Sequence, residues 1–455
     1  MSWVFFRHPG QGTRAMVDAS SLLLDLDGVV VESVQRLANG TRLVQVLTAP
    51  EWVGICPECG ERSTCSKGWV STGPRDVQVG PDRPLLRWRK RKWLCPSTVC
   101  DRKVFTESVP GVPARARVTP RAKAQMATQV LDEDRSVASV AADHRCGWHT
   151  VHDHVITVAD AALEAEPAPV RVLGIDETRR GKAKWDTDPD TGKRIWVDRW
   201  DTGLVDITGD QGLLAQVNGR DSATVIDWLE ARDANWRTAI THVAIDLSMV
   251  YARAVRLALP GAIVIVDRFH LVKKANDMVD AVRRRVTLAQ RGRRGRKTDV
   301  EWINRRRLLR GAERLTDEQH HTLFSKLLTA DPGEDIAAAW IAKELLRELL
   351  SCAHRGRLRY EIAAALEDFY RFCAACKVPE VIKFARTIEA WQDPIIAALQ
   401  TGLTNARTEG YNRLVKHVGR IAFGFRNPDN QRRRVRWACT RRSRQVTPNR
   451  HQRHC

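Results

Sequence analysis

The chain has 455 residues, enough for about three domains of ordinary size; 43% are hydrophobic with no short repeat, which excludes collagen, coiled coil and wholesale disorder. Lys and Arg number 74 against 54 Asp and Glu, a formal charge of +20, and an excess of that size selects a polyanionic partner. No stretch approaches the roughly 18 consecutive apolar residues of a spanning helix, so nucleic acid is favoured over a membrane, in a soluble protein of the cytoplasm. Eleven cysteines, an odd number with several in close pairs, suit a reducing compartment and metal ligation better than disulfides.

Residues before Met16 read as a start-site extension. Residues 22–33 and 43–47 read as short strands about an Asn39-Gly40 turn, within an N-terminal β segment of residues 1–50. Leu24-Asp25-Leu26-Asp27-Gly28 resembles the opening of haloacid-dehalogenase-type phosphatases, whose first Asp is the nucleophile. The cysteine-rich segment that follows is not the long α/β domain such an enzyme needs, so the likeness is set aside.

Cys56-Pro57-Glu58-Cys59-Gly60 and Cys95-Pro96-Ser97-Thr98-Val99-Cys100 are two Cys pairs, each at a tight turn. That is how one chain sets four thiolates tetrahedrally about one structural Zn²⁺, and it predicts a zinc ribbon over residues 51–112. Between the pairs, Leu85-Leu86-Arg87-Trp88-Arg89-Lys90-Arg91-Lys92-Trp93 predicts a basic strand with interleaved Trp that suits phosphates. Cys65 reads as a spare thiol.

Residues 113–166 predict a helix-turn-helix. Ser136 stands in the cap position before an apolar helical repeat, and Arg145-Cys146-Gly147 makes the turn. The helix that follows would enter the major groove and present Trp148, His149, Thr150 and His152 to DNA. His144, His149, His152 and His154 are read as groove-facing or solvated.

After Pro167-Ala168-Pro169 the pattern changes to strands. Residues 170–178, 195–207 and 212–217 predict three hairpin-linked strands, followed by a helix (222–233), a strand (240–246), a helix (249–259) and a strand (262–267). That order matches a ribonuclease-H-like α/β domain. It is expected over residues 167–272 and 400–427, interrupted by a helical insertion at 273–399. Residues 283–310 carry 12 Lys and Arg against two acids, which reads as a solvated loop or a grip on DNA phosphates. The tail, 428–455, is basic and is expected to be poorly ordered without nucleic acid. The fold class is therefore multidomain α+β: zinc ribbon, helix-turn-helix and an interrupted ribonuclease-H-like domain.

Three acids stand out by position. Asp176 lies on the first strand of that domain, Asp246 ends the fourth, and Glu409 opens a helix after the insertion. A carboxylate ending an apolar strand is costly unless it faces a cleft or a cation. Gathered together the three repel one another, and two Mg²⁺ or Mn²⁺ ions roughly 4 Å apart would relieve them while activating a hydroxyl for in-line attack at phosphorus. Glu409, Asn412 and Lys416 fall at i, i+3 and i+7, so Asn412 and Lys416 are expected to orient a DNA phosphate. Asp267, ending the fifth strand, competes with Asp246 for the middle position; with His270 it is otherwise expected to support the rim of the site. Cys352, His354, Cys373 and Cys376 are read as core packing rather than a second zinc site.

These motifs, with Gly174-Ile175-Asp176-Glu177, Asp267-Arg268-Phe269-His270, Asn405-Ala406-Arg407-Thr408-Glu409-Gly410-Tyr411-Asn412-Arg413 and Gly424-Phe425-Arg426-Asn427, resemble the DDE transposases of bacterial insertion sequences of the ISL-three (insertion-sequence L-three) type. The resemblance implies binding of double-stranded DNA at terminal inverted repeats, cleavage there, and strand transfer into target DNA. It also implies a homodimer or higher assembly on DNA and a nucleoid-associated bacterial protein. The alternative is a regulator derived from such an enzyme, which keeps the ribbon and the helix-turn-helix but no longer cleaves.

Overall fold

A computed structural model describes residues 19–80, 82–354, 358–441 and 443. The segment before Met16, expected as a start-site extension, and the last part of the basic tail lie outside the described residues. The chain forms two compact units, one of residues 1–164 with 420–434 and one of residues 165–419 with 435–455. Among the described residues no helix is long and apolar enough to cross a membrane.

The first unit opens with helix α1 (Ala19–Leu24) and strands β1 (Val29–Arg36), β2 (Arg42–Thr48), β3 (Ser66–Thr72), β4 (Leu85–Leu94) and β5 (Val104–Thr106). They form one sheet in the order β1-β2-β4-β3, with β5 on β4. The boundary expected at residue 50 thus falls between strands of a single sheet. On β4 the alternation is strict at first: Leu86, Trp88 and Lys90 point inward, Leu85, Arg87 and Arg89 outward. Trp88 is fully buried among Val46, Leu86, Val109 and Leu24, and its indole N–H donates to Thr48 Oγ1 at 3.1 Å.

The strand expected over residues 22–33 is corrected in its first half. Leu22–Leu24 are helical, and the chain reverses through Asp25 and Gly28, both at positive φ, before β1 begins. A side chain at Gly28 would meet Val109 Cβ at 2.6 Å, so the reversal needs glycine. Asp25 therefore sits in a turn, not at the strand end that a phosphatase nucleophile requires.

Helices α2 (Pro120–Leu131), α3 (Val137–Asp143) and α4 (Trp148–Leu163) follow. Thr119 caps α2, with Pro120 at its first turn, and Ser136 Oγ accepts from Ser139 N at 3.1 Å to cap α3. Val130, Val140, Val151, Val155 and Ala159 are buried.

The second unit carries β6 (Val172–Arg179), β7 (Lys184–Thr187), β8 (Arg194–Val197), β9 (Trp200–Asp206), β10 (Leu213–Asn218), α5 (Ser222–Glu230), α6 (Ala234–Thr238), β11 (His242–Ile245), α7 (Met249–Ala258) and β12 (Ile263–Val266). Its five-stranded sheet runs β10-β9-β6-β11-β12. β9 is antiparallel to β6 and β10, while β11 is parallel to both β6 and β12. The strand expected over 195–207 is two strands, because β8 leaves the sheet to pair with β7 as a separate hairpin.

Helices follow: α8 (Arg268–Arg291), α9 (Val300–Ile303), α10 (Asp317–Ala330), α11 (Asp335–Ser351), α12 (Arg359–Ala375), α13 (Pro379–Ala390), α14 (Gln392–Thr401) and α15 (Ala406–Ile421), and then α16 (Pro428–Cys439), whose residues 428–434 belong to the first unit and 435–439 to the second. The sheet and the helices share one apolar core, in which Ile175, Val243 and Ile245 belong with Leu271, Leu346, Phe369 and Ile395. Cys352 and Cys373 lie in that core as expected. Two expectations change here. The Arg run at 291–297 is partly consumed internally, since Arg291 pairs with Glu301 at 3.0 Å and Arg293 with buried Asp299 at 2.7 Å. Residues 428–439 of the basic tail are helical rather than poorly ordered, because Val435, Trp437 and Cys439 on α16 are buried.

Candidate metal centres and nucleic-acid interface

The ribbon thiols come together. The Sγ atoms of Cys56, Cys59, Cys95 and Cys100 all lie within 4.8 Å of one another, and Cys59 and Cys95 approach to 3.5 Å. Gly60, at φ +77, lets the first knuckle turn so that its N–H donates to Cys56 O at 3.0 Å. Trp93 and Phe105 from β4 and β5 pack against Cys56 and Cys100. The Cys59 backbone N–H draws the Cys56 thiol down to about 7, whereas burial pushes Cys95 up to about 12. Four sulfur donors in this spacing fit tetrahedral Zn²⁺. Cys65 is exposed and outside the cluster.

In the second unit, β6 and β11 lie side by side, with Ala244 opposite Gly174. Asp176 therefore stands two residues beyond that pair on β6, and Asp246 follows the end of β11. Helix α15 is laid directly on β6. Asn405 and Thr408 are fully buried, and a Cβ at Gly174 would fall 2.2 Å from Thr408 Oγ1 and 3.0 Å from Asn405 Oδ1. Glycine is needed there for close approach. Arg407 Nη1, donating to Ile207 O at 3.0 Å, secures the same helix end.

This docking aims the next turn of α15 at the strand ends. Asn412 Nδ2 donates to Asp176 Oδ2 at 2.6 Å, and Asp176 Oδ1 accepts from Glu177 N at 2.8 Å. His270, in the first turn of α8, places Nε2 3.0 Å from Asp246 Oδ1 and 3.8 Å from Glu409 Oε1. Asp267 caps α8 through Phe269 N at 3.4 Å, and single ligand atoms of Asp267, His270 and Glu409 lie within 4.8 Å of one another.

The electrostatics are those of crowded carboxylates. Burial, reinforced by the charge of Asp246, holds Asp176 up to about 7. Burial also raises Asp267, and it raises Glu409 with Asp267 adding to the shift. The hydrogen bond to Asp246 raises His270, so the imidazolium form is favoured between two carboxylates. The charge of Asp246 adds to the raised pKa of Asp176, Asp267 and Glu409, and carboxylate oxygens crowded in this way fit a hard divalent cation.

Of the residues expected to meet DNA, Trp148, His149 and Thr150 are exposed at the start of α4, and Trp148 stacks on half-buried His152 at 4.3 Å. Of the four histidines read as groove-facing or solvated, His149 is exposed, His152 and His154 are half-buried, and His144 departs furthest. It is buried, bonded to Gln129 at 2.9 Å and flanked by Arg83, because the turn before α4 tucks it into the helical core. Lys416 is exposed on α15, whereas Asn412, expected on a DNA phosphate, is bonded to Asp176. Sequence reasoning carried Asn405, Thr408 and Gly174 only as members of motifs and gave them no docking role, because the contact joins segments more than 200 residues apart.

Family models match three successive parts of the chain. They are a zinc-finger of transposase IS204/IS1001/IS1096/IS1165 at residues 52–100, the helix-turn-helix domain of transposase family ISL3 at 107–155, and the ISL3 transposase itself at 173–435, more than half of the chain. The transposase for insertion sequence element IS1557 of Mycobacterium tuberculosis is 29% identical over 310 residues, 62% of this chain and 64% of that protein. The match thus spans a little under two thirds of that relative's length. The transposase for insertion sequence element IS1001 of Bordetella parapertussis is 25% identical over 414 residues, 88% of this chain and 93% of that one. Among solved structures, the Drosophila P element transposase strand transfer complex covers 70% of this chain and 91% of its own at 10% identity, with a TM-score of 0.34, too loose a likeness to argue from. The chain belongs to the ISL3 family of transposases.

Proposed function

We propose that the protein is a DDE transposase that cleaves DNA at the terminal inverted repeats of its own insertion sequence and joins the freed ends to target DNA. The observation that supports it most is the meeting of β6, the end of β11 and α15 at a cluster of crowded acids, of which Asp176 and Glu409 are raised. The strand order, three antiparallel strands followed by two reached by parallel crossovers, supports a ribonuclease-H-like catalytic domain, with the helices between β12 and α15 as its insertion.

In this reading Asp176, Asp246 and Glu409 would hold two Mg²⁺ or Mn²⁺ ions, which would supply an activated hydroxyl and a neutralised leaving oxygen at phosphorus. The chain's own residues do the positioning. Asn412 fixes the Asp176 carboxylate, and the Asn405/Thr408 anchor on Gly174 fixes Glu409. His270 bridges Asp246 and Glu409 and holds a proton while no other cation is near. Asp267 sets the first turn of α8, which carries His270. Lys416, one helical turn beyond Asn412, meets the DNA backbone. Cys56, Cys59, Cys95 and Cys100 hold one structural Zn²⁺, and α4 reads the repeat through Trp148, His149, Thr150 and His152. Holding two element ends at once calls for a homodimer or larger assembly on DNA, in the bacterial cytoplasm at the nucleoid.

The test is incubation of the protein with a labelled duplex from its element's end, with and without Mg²⁺. Cation-dependent strand breaks at the repeat boundary are expected. A stable footprint with no break under any divalent cation would favour a DNA-binding regulator instead.

A further inference from the structure

The motif Gly424-Phe425-Arg426-Asn427 lies outside the acid cluster and has no part in the chemistry proposed for it. It belongs to the stretch 420–434, which is part of the first unit, the one that carries the helix-turn-helix. Two guanidiniums fasten this stretch to the helices. Arg433 Nη2 donates to Asp160 on α4 at 3.1 Å, and Arg434 Nη2 donates to the carbonyl of Val130 on α2 at 3.0 Å. Asn427 Oδ1 accepts from Asp429 N at 2.7 Å and Asn430 N at 3.2 Å, so the chain turns sharply into α16.

That turn is built in a costly conformation. Phe423 has φ +55 and Gly424 φ +91, one after the other. A bulky aromatic residue rarely adopts a left-handed backbone, and strain of this kind persists where the surroundings or a function require it. The Phe423 N–H donates to Arg420 O at 3.0 Å, but the ring gains little from packing among the described residues, because Phe423 is 93% exposed. Phe423 and Phe425 both border a cavity of about 600 Å³ whose other walls include Trp148, His152, Ile156 and Ala138. The exposed ring thus stands across one cavity from the first turn of α4. The charge suits DNA, with five Arg and one acid between residues 420 and 434; Arg420 and Arg426 flank the ring and are exposed.

We infer that residues 420–427 are the second half of the DNA-reading surface, and that Phe423 is an apolar wedge inserted at a base step of the duplex beside the site held by α4. Partial unstacking of a step by such a side chain kinks the duplex and lets more protein surface reach it, with the flanking arginines on the phosphates. The inference rests on the reading of α4 as the helix that enters the major groove, and its test separates the two.

The probe is a duplex carrying the terminal repeat of the protein's own element, with 2-aminopurine placed in turn at each step in and beside the footprint. Wild-type protein is expected to brighten the probe several-fold at one step next to the α4 footprint. Phe423→Ala, which removes a largely exposed side chain, should abolish the brightening and leave the footprint in place; Phe423→Leu should restore part of it. Equal brightening by Phe423→Ala, or none at any step under a clear wild-type footprint, overturns the wedge and leaves the α4 reading intact. A footprint unchanged by a His149→Ala/Thr150→Ala double variant overturns the α4 reading, and the wedge with it. If Phe423→Ala instead lowers self-association of DNA-free protein in sedimentation, the ring is covered by a second copy of the chain and the wedge is wrong.

Discussion

Asn412 on α15 donates to Asp176 on β6 across 2.6 Å, tying together two residues 236 positions apart in the chain. The bond fixes one oxygen of a buried carboxylate that feels the charges of Asp246 and His270. Outer hydrogen bonds of this kind typically contribute about 10–100-fold to activity or metal affinity. Asn412→Ala should therefore slow Mg²⁺-dependent cleavage by about that factor while the DNA footprint keeps its affinity. Equal cleavage by the variant in single-turnover assays would show that the amide is incidental.

Gly174→Ala tests the docking of α15. The added methyl would overlap Thr408 Oγ1, and overpacking of a buried contact costs about 1–3 kcal/mol. A fall in melting temperature is expected, and Thr408→Ala in the same chain should recover part of it. An unchanged melting curve for Gly174→Ala would mean that the helix end shifts freely, and the reason given for the glycine would be wrong.

Removing the ribbon's cation should undo local structure. Cys59→Ser, or prolonged chelation, leaves crowded thiols of which one is already drawn down to about 7. Loss of bound zinc by elemental analysis and weaker DNA binding are expected, because structural zinc sites contribute folding energy directly. Cleavage chemistry on saturating DNA should be affected less than affinity. Full zinc content in Cys59→Ser would remove that residue from the ligand set.

Asp176 also predicts a pH dependence. Its carboxyl is held up to about 7 in the folded chain, against about 4 in an unfolded one. The folded state thus binds this proton more tightly, so the stabilisation is whole below about pH 4 and is lost as pH rises through about 7. His270, raised by Asp246, acts in the same direction, its contribution lost as pH rises through its folded value. Asp176→Asn should therefore melt above wild type by a margin that grows between about pH 4 and about pH 7 and levels off above it, measured without divalent cations. Saturating Mg²⁺ should narrow the margin. A margin that shrinks with pH would contradict the crowding of these acids.

The sequence was legible where the signal is local. Apolar strands ended by Asp246 and Asp267, paired cysteines, and a Ser136 cap each announce themselves within ten residues. Long-range features were not. Asn412 has the same spacing whether it faces DNA or Asp176, and only the register of α15 on Gly174 decides. His144 sits in a polar run and is buried because a turn folds it inward. The arginines at 433 and 434 read as a loose tail, since their partners Asp160 and Val130 lie some 270 to 300 residues earlier in the chain. The β7–β8 hairpin was hidden because its strands are exposed on both faces and carry no alternation.

The most direct measurement compares Mg²⁺-dependent cleavage of the terminal repeat by Asp176→Asn, Asp246→Asn, Glu409→Gln and Asp267→Asn. Each footprint serves as the control for folding. The first three should lose cleavage by about three orders of magnitude or more while still binding, and Asp267→Asn should retain a measurable fraction. Cleavage that survives Asp176→Asn or Glu409→Gln would contradict a shared cation site. Loss in Asp267→Asn with survival in Asp246→Asn would move the second ligand from β11 to the start of α8.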